Sequence, residues 1–136
     1  MRDLGIRPFL IADSLIGVVS QRLVRKVCEG CKTSYEPRGW ERDYLHLPEL
    51  KVLYRGKGCE VCNGSGYLGR TLVYELLVVD QKLSQLIDQD AEASVLRETA
   101  AAAGFEDIFK VTKRKVVEGI TTTEEAVRVL GRIRQD

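Results

Sequence analysis

Cys28-Glu29-Gly30-Cys31 and Cys59-Glu60-Val61-Cys62-Asn63-Gly64-Ser65-Gly66 hold all four cysteines of this 136-residue chain. Each is a C-x-x-C turn, and 27 residues separate Cys31 from Cys59. A C-x-x-C turn brings two thiolates to one point, and two such turns make the closed, tetrahedral four-thiolate site that structural zinc prefers. The spacing therefore assigns Cys28, Cys31, Cys59 and Cys62 as metal ligands. Gly30, Gly64 and Gly66 beside them let the backbone turn tightly. A zinc–thiolate unit carries a formal charge of about −2, and Lys26, Lys32, Arg55 and Lys57 flank it in the sequence. Four thiolates leave no open position for water, so the site reads as structural rather than catalytic.

Two disulfides or a redox dithiol would use the same side chains. The N-terminus shows no signal-peptide pattern, because Asp3 and Asp13 interrupt it and no long apolar stretch follows a basic start. That weighs against disulfides. A redox C-x-x-C normally stands alone near a βαβ unit, whereas this one is duplicated. His46, the one histidine, reads as a surface or small-cluster residue and not as a ligand.

Outward from the cysteines, residues 28–66 hold two of the three prolines and six of the twelve glycines. Trp40, Tyr44, Leu45, Leu47, Leu50 and Leu53 supply one small apolar cluster, with a short helix over 41–47. Trp40 and Tyr44 read as that cluster's core, since nucleic-acid readers interleave aromatics with many more cations. Residues 22–70 carry ten basic and six acidic side chains, so they are locally +4 in a chain of net charge +1.

On the N-terminal side, Pro8 suits a first helical turn. Phe9, Ala12, Ile16, Val19 and Leu23 follow at helical spacing, with a passage to strand possible over 21–27. On the C-terminal side, 67–79 is rich in β-branched and aromatic residues and reads as a strand. Helices then follow: one capped by Asp80, one over 91–103 closed by Gly104, one over 107–118 stopped by Gly119. A last helix, reaching to about Arg134, opens at Thr121-Thr122-Thr123-Glu124-Glu125 as a capping box.

A 44% hydrophobic and 30% charged composition fits a folded globular chain. The near balance of charge argues against a protein that coats nucleic acid or an anionic membrane. No apolar run is long enough to span a bilayer. Lys110, Lys113, Arg114 and Lys115 read as a solvated helix face ahead of a site for acidic lipid headgroups. The expectation is an α+β fold in which a small four-cysteine zinc module (25–69) lies between an N-terminal helix with short strands (1–24) and a strand plus helical bundle (70–136).

The run Cys59-Glu60-Val61-Cys62-Asn63-Gly64-Ser65-Gly66 resembles the C-x-x-C-x-G-x-G repeat of J-domain chaperones, but the first pair lacks the following glycines. A longer ordered series resembles the C-terminal part of type II secretion and type IV pilus assembly ATPases. It comprises Ile6-Arg7-Pro8-Phe9-Leu10-Ile11-Ala12, Gln21-Arg22-Leu23-Val24-Arg25-Lys26-Val27-Cys28-Glu29-Gly30-Cys31, Tyr54-Arg55-Gly56-Lys57-Gly58 leading into Cys59, Gly69-Arg70-Thr71, Tyr74-Glu75-Leu76-Leu77 and Glu118-Gly119-Ile120-Thr121-Thr122.

The resemblance implies a hexameric, cytoplasmic traffic ATPase acting in protein transport, peripheral to the inner membrane through a platform protein. Its zinc module would project from a RecA-like motor domain, of which 1–24 would be the tail. The family's P-loop, G-x-x-x-x-G-K-[ST], has no counterpart here. The resemblance thus implies that ATP and magnesium belong to the parent alone and that this chain is not itself an enzyme. In the assembled motor Arg22, Arg25 and Arg70 would contact nucleotide or a neighbouring subunit, or else form salt bridges. The alternative is a free-standing zinc-binding interaction module of chaperone or nucleic-acid type.

Overall fold

The computed structural model describes residues 2–131. After a 3-10 turn at Arg2–Leu4 come α1 (Pro8–Ser14), β1 (Gly17–Val27), β2 (Lys32–Tyr35), α2 (Gly39–Leu45), β3 (Leu53–Gly56) and β4 (Tyr67–Val78). Four helices follow: α3 (Gln81–Asp88), α4 (Ala93–Ala102), α5 (Ile108–Val117) and α6 (Thr123–Leu130). The fold is α+β, with β1 paired to β4 in one two-stranded sheet and β2 to β3 in another.

The expected helical face running on to Leu23 does not form. Pro8 does open α1, but Leu15 is already extended (φ −81°, ψ 114°) and β1 begins at Gly17. Gly17 disfavours helix, and Val18-Val19 prefer the extended chain. Phe9, Ile16, Val19 and Leu23, placed by helical spacing on one buried stripe, are all exposed, Ile16 by 85%.

The chain divides into two compact units, the residues up to Ser20 with Tyr74–Asp107, and Gln21–Val73 with the chain from Ile108 onward. In the first, α3 packs against α1 and α4. Asp80 caps α3 by accepting from the Leu83 N–H at 2.8 Å, and the Ser84 hydroxyl donates to the Ala12 carbonyl at 2.9 Å. Leu83 and Ala100 are this unit's buried apolar side chains among the described residues.

The second unit holds the core. Leu45, Leu53, Val116 and Ala126 are buried together, with Tyr35, Tyr44, Leu47 and Leu50 packed around them. Trp40 does not belong to it and is 42% exposed. In α2 the inward positions are Glu41 and Leu45, four apart on one face, and Trp40 lies one residue off that face. The buried Glu41 carboxylate accepts from the Tyr35 hydroxyl and from the Arg38 N–H at 2.9 Å.

Helix α6 begins as its sequence implies. Thr122 is the N-cap, its Oγ1 accepting from the Glu125 N–H at 3.1 Å. The Glu125 carboxylate does not complete a capping box. It is buried and accepts from the Arg25 N–H (2.9 Å), from Arg25 Nε (3.0 Å) and Nη2 (2.9 Å), and from Arg128 Nε (2.8 Å). The Arg25 guanidinium also stacks 4.2 Å from the centroid of the Tyr67 ring, whose hydroxyl meets Thr122 Oγ1 at 2.7 Å. The preceding loop fastens to β1 through Thr121 Oγ1 to the Arg25 carbonyl (2.8 Å) and the Val27 N–H to the Ile120 carbonyl (2.9 Å). The expected extension of this helix beyond Gly131 lies outside the described residues.

Burial alone would push the Glu125 carboxyl up, but hydrogen bonds from Arg128 and Arg25 outweigh it and hold the group down at about 2. Glu125→Gln should therefore lower the unfolding free energy at pH 7 by on the order of 2–3 kcal/mol. A depressed folded-state pKa stabilises above the unfolded value, and that stability is lost as pH falls through the folded one. In urea titrations the gap between wild type and Glu125→Gln should be full above about pH 4.5 and close towards pH 2. A gap that widens on acidification would contradict this account.

Candidate metal centre

Cys28 follows directly on β1, and Cys31 directly precedes β2. The second C-x-x-C lies between β3 and β4. Antiparallel pairing of Lys32 with Gly56, Thr33 with Arg55, Ser34 with Tyr54 and Tyr35 with Leu53 brings the two turns together. Further backbone bonds join them: the Cys28 N–H to the Gly66 carbonyl at 2.9 Å and the Lys57 N–H to the Cys31 carbonyl at 3.1 Å.

The second turn is closed by the Gly64 N–H on the Cys59 carbonyl (2.9 Å). Asn63, Gly64 and Gly66 take φ of +50°, +77° and +77°, a region glycine enters without steric cost and asparagine tolerates.

Four sulfurs result, all within 4.8 Å of one another. Sγ of Cys28 lies 3.8 Å from that of Cys59, Cys31 is 3.8 Å from Cys62, and Cys59 is 3.7 Å from Cys62. A tetrahedral ion with metal–sulfur distances of about 2.3 Å requires sulfurs about 3.8 Å apart, so the geometry and the donor set both fit one thiophilic ion. All four cysteines are free thiols, with Cys28 and Cys62 buried and Cys31 and Cys59 half-buried.

Backbone donors already point at the sulfurs: Gly58 N–H to Cys31 Sγ, and Cys59 and Gly66 N–H to Cys62 Sγ, each at 3.2 Å. Burial pushes the Cys28 thiol up and the Cys31 thiol up to about 11. Burial also opposes ionisation of Cys62, but the Cys59 and Gly66 donors outweigh it and bring that thiol down to about 6. The site thus offers N–H groups to sulfur charge before any ion arrives.

Other singled-out residues are placed as follows. Lys32 pairs with Glu29 at 3.5 Å and lies 5.2 Å from the centroid of the Tyr54 ring, while Arg55 stacks on Tyr35 at 4.8 Å. Arg25 takes the salt-bridge reading through Glu125. Arg22 and Arg70 are exposed on β1 and β4, and Arg22 donates to the Gln21 carbonyl at 2.7 Å. His46 ends α2 in the left-handed region (φ 52°) and lies edge-on to Phe109, outside the sulfur cluster. On α5, Lys110 and Arg114 are exposed and Lys113 and Lys115 half-buried, so the basic run is not one solvated face.

Two features escaped the sequence. The β2–β3 pairing was signalled only by two four-residue stretches, Lys32-Thr33-Ser34-Tyr35 and Leu53-Tyr54-Arg55-Gly56, too short to stand out. The Arg25–Glu125 pair joins positions 100 apart and has no local signature.

Residues 1–128 match the family described as type II/IV secretion system protein. The chain belongs to that family. Among its relatives, the type IV pilus assembly ATPase PilB of Thermus thermophilus is 41% identical over 129 residues, 92% of this chain and 14% of that protein. The type II secretion system ATPase E of Vibrio cholerae is 43% identical over 131 residues, 95% of this chain and 26% of that protein. The type IV pilus assembly ATPase TfpB of Acinetobacter baylyi is 37% identical over 136 residues, 96% of this chain and 23% of that protein. The chain therefore spans about a quarter or less of the relatives it matches. No helix among the described residues is long and apolar enough to cross a membrane.

The convergence of the two turns depends on bare backbone. A Cβ on Gly56 would lie 2.1 Å from the Gly66 carbonyl oxygen, and one on Gly66 would lie 2.6 Å from that of Gly56. Gly39 has open space around it. Gly56→Ala should cost on the order of 3 kcal/mol or more by forcing the turns apart, whereas Gly39→Ala, a helical position, should be neutral or slightly stabilising. Thermal unfolding of the two variants beside wild type checks the contrast. Equal melting points would show that the approach is not a constraint.

Proposed function

We propose that this chain is the zinc-bearing region of a secretion or pilus-assembly ATPase, and that Cys28, Cys31, Cys59 and Cys62 hold one structural zinc ion. The observation that carries the reading is the coincidence of a four-sulfur cluster of tetrahedral dimensions with a family match running through both of its flanks. Zinc supplies a rigid cross-link when bound. The chain's own residues do the rest: the β2–β3 pair sets the distance between the turns, and the N–H groups of Gly58, Cys59 and Gly66 offset charge on the sulfurs.

In this reading 1–24 is the tail of a RecA-like motor domain, 25–69 the zinc module and 70–136 a strand followed by a helical subdomain. The parent is a cytoplasmic homo-hexamer bound at the inner membrane through a platform protein. ATP and magnesium bind elsewhere in it, since the P-loop pattern does not occur in these residues. The module is a docking surface without catalytic work. Four thiolates fill the coordination shell, leaving shape and charge as what it presents.

The purified chain, prepared without chelator, should contain one zinc per molecule by elemental analysis and hydrolyse no ATP above background with magnesium present. Zinc near zero sinks the metal assignment, and turnover sinks the division of labour. Cys59→Ser should loosen 28–66 and lose the ion.

Charge reversal at Arg38, Arg42 or Lys51 in the full-length parent should weaken binding to the platform protein's cytoplasmic domain and leave zinc content unchanged. If replacing residues 33–57 with a short bridge leaves transport intact, the docking role is wrong and the module is only a staple.

A further inference from the structure

The four cysteines differ in burial. Cys28 and Cys62 are buried, whereas Cys31 and Cys59 are only half-buried. Cys62 Sγ is the shared neighbour of the sulfurs of both less buried cysteines, 3.7 Å from Cys59 and 3.8 Å from Cys31. Of those two pairs, Cys59–Cys62 belongs to one turn whose backbone already folds the two residues together, through the Gly64 N–H on the Cys59 carbonyl at 2.9 Å and the Cys59 N–H on Cys62 Sγ at 3.2 Å. Joining Cys31 to Cys62 would bridge two turns held at a fixed separation by the β2–β3 register and the Gly56–Gly66 approach. A bond between Cys59 and Cys62 closes a loop within one turn and asks nothing of the other.

We propose that the second C-x-x-C turn is a redox-sensitive latch, in which a hydroperoxide oxidises Cys59 first and Cys62 resolves it to a disulfide that opens the metal centre. The inference rests on the four cysteines sharing one metal ion. Cys59 Sγ attacks the terminal peroxide oxygen, the O–O bond breaks, and the leaving oxygen departs as water or alcohol after taking up a proton. Cys59 is then a sulfenic acid. Cys62 Sγ attacks that sulfur, the S–O bond breaks, and the hydroxyl leaves as water. Two thiols and one hydroperoxide become one disulfide, one water and one alcohol, or a second water when the oxidant is hydrogen peroxide. Each sulfur is oxidised by one electron overall, and the peroxide is reduced by two. A sulfur joined in a disulfide is no longer a thiolate ligand, so two of the four ligands are lost while Cys28 and Cys31 stay reduced. Reduction by a dithiol restores the site.

The test uses the whole chain as purified, with hydrogen peroxide as the probe. Metal content is measured first, so a chain that carries none overturns the metal reading and this inference together. Peroxide is then added stoichiometrically to metal-loaded protein. Released ion is followed with a chromogenic chelator, free thiols are alkylated, and disulfides are mapped by mass spectrometry. The expected result is ion release in step with loss of two of the four alkylatable thiols, a Cys59–Cys62 linkage as the first product, and reversal by dithiothreitol with added zinc. Retention of the ion with all four thiols alkylatable overturns the inference alone, as does a first disulfide at Cys28–Cys31 or across the turns. Because every decisive readout is on the wild-type chain, a cysteine variant that fails to fold cannot obscure the outcome.

Discussion

The structure of the second unit depends on a four-residue register. Lys32 to Tyr35 pair with Gly56 to Leu53, and the two ends of that ladder do different work. At one end Tyr35 and Leu53 enter the apolar cluster with Leu45, Val116 and Ala126. At the other, Lys32 and Gly56 sit beside the cysteine turns. Side chains alternate along a strand, so a slip of one residue would turn Leu53 out and Tyr54 in. The core therefore selects the register, and the register sets where the sulfurs meet. Burial of a few leucines and the spacing of four thiols become one condition.

The C-terminal helices enforce the same condition from outside. The turn between α5 and α6 presses so closely on the β2–β3 pair that a Cβ on Gly119 would lie 2.7 Å from the Tyr54 ring. Glu125 then fixes the strand that feeds the first cysteine turn, because Arg25 gives it both its backbone N–H and its guanidinium three residues before Cys28. A buried carboxylate is stable only when paired and hydrogen-bonded, and here both requirements are met by the strand whose position matters. Its value lies in specifying where β1 runs as well as in stability.

What could be read from the sequence was what is local. Paired C-x-x-C turns announce themselves within four residues each, and Asp80, Thr122, Gly104 and Gly119 mark helix ends by chemistry that acts over one turn. In the N-terminal segment Phe9, Ala12, Ile16, Val19 and Leu23 satisfy helical spacing, but Gly17-Val18-Val19 prefers the extended chain, and there propensity prevails over spacing. Trp40 is large and apolar but lies off the buried face of α2. The face of α2 was set by Leu45 and by a carboxylate, Glu41, whose burial depends on a hydroxyl six residues upstream. The β2–β3 register and the Arg25–Glu125 pair were illegible because each joins positions far apart in the chain.

One backbone bond gives the insertion its mechanical character. The Cys28 N–H on the Gly66 carbonyl at 2.9 Å ties the residue leaving β1 to the residue entering β4. Residues 28–66 thus depart from and return to a single point, and between the two turns the chain is cross-braced by β2–β3 and by the glycine approach. A segment held this way has few internal degrees of freedom left, so displacement of the strands at its base would carry it as a body. Rigidity at the root would let a small movement of β1 and β4 become a larger one at Trp40 and Val52, both exposed. The register and the Glu125 pairs then serve one mechanical end, which the proposed metal would share: each removes a way for the insertion to bend independently of the strands that bear it.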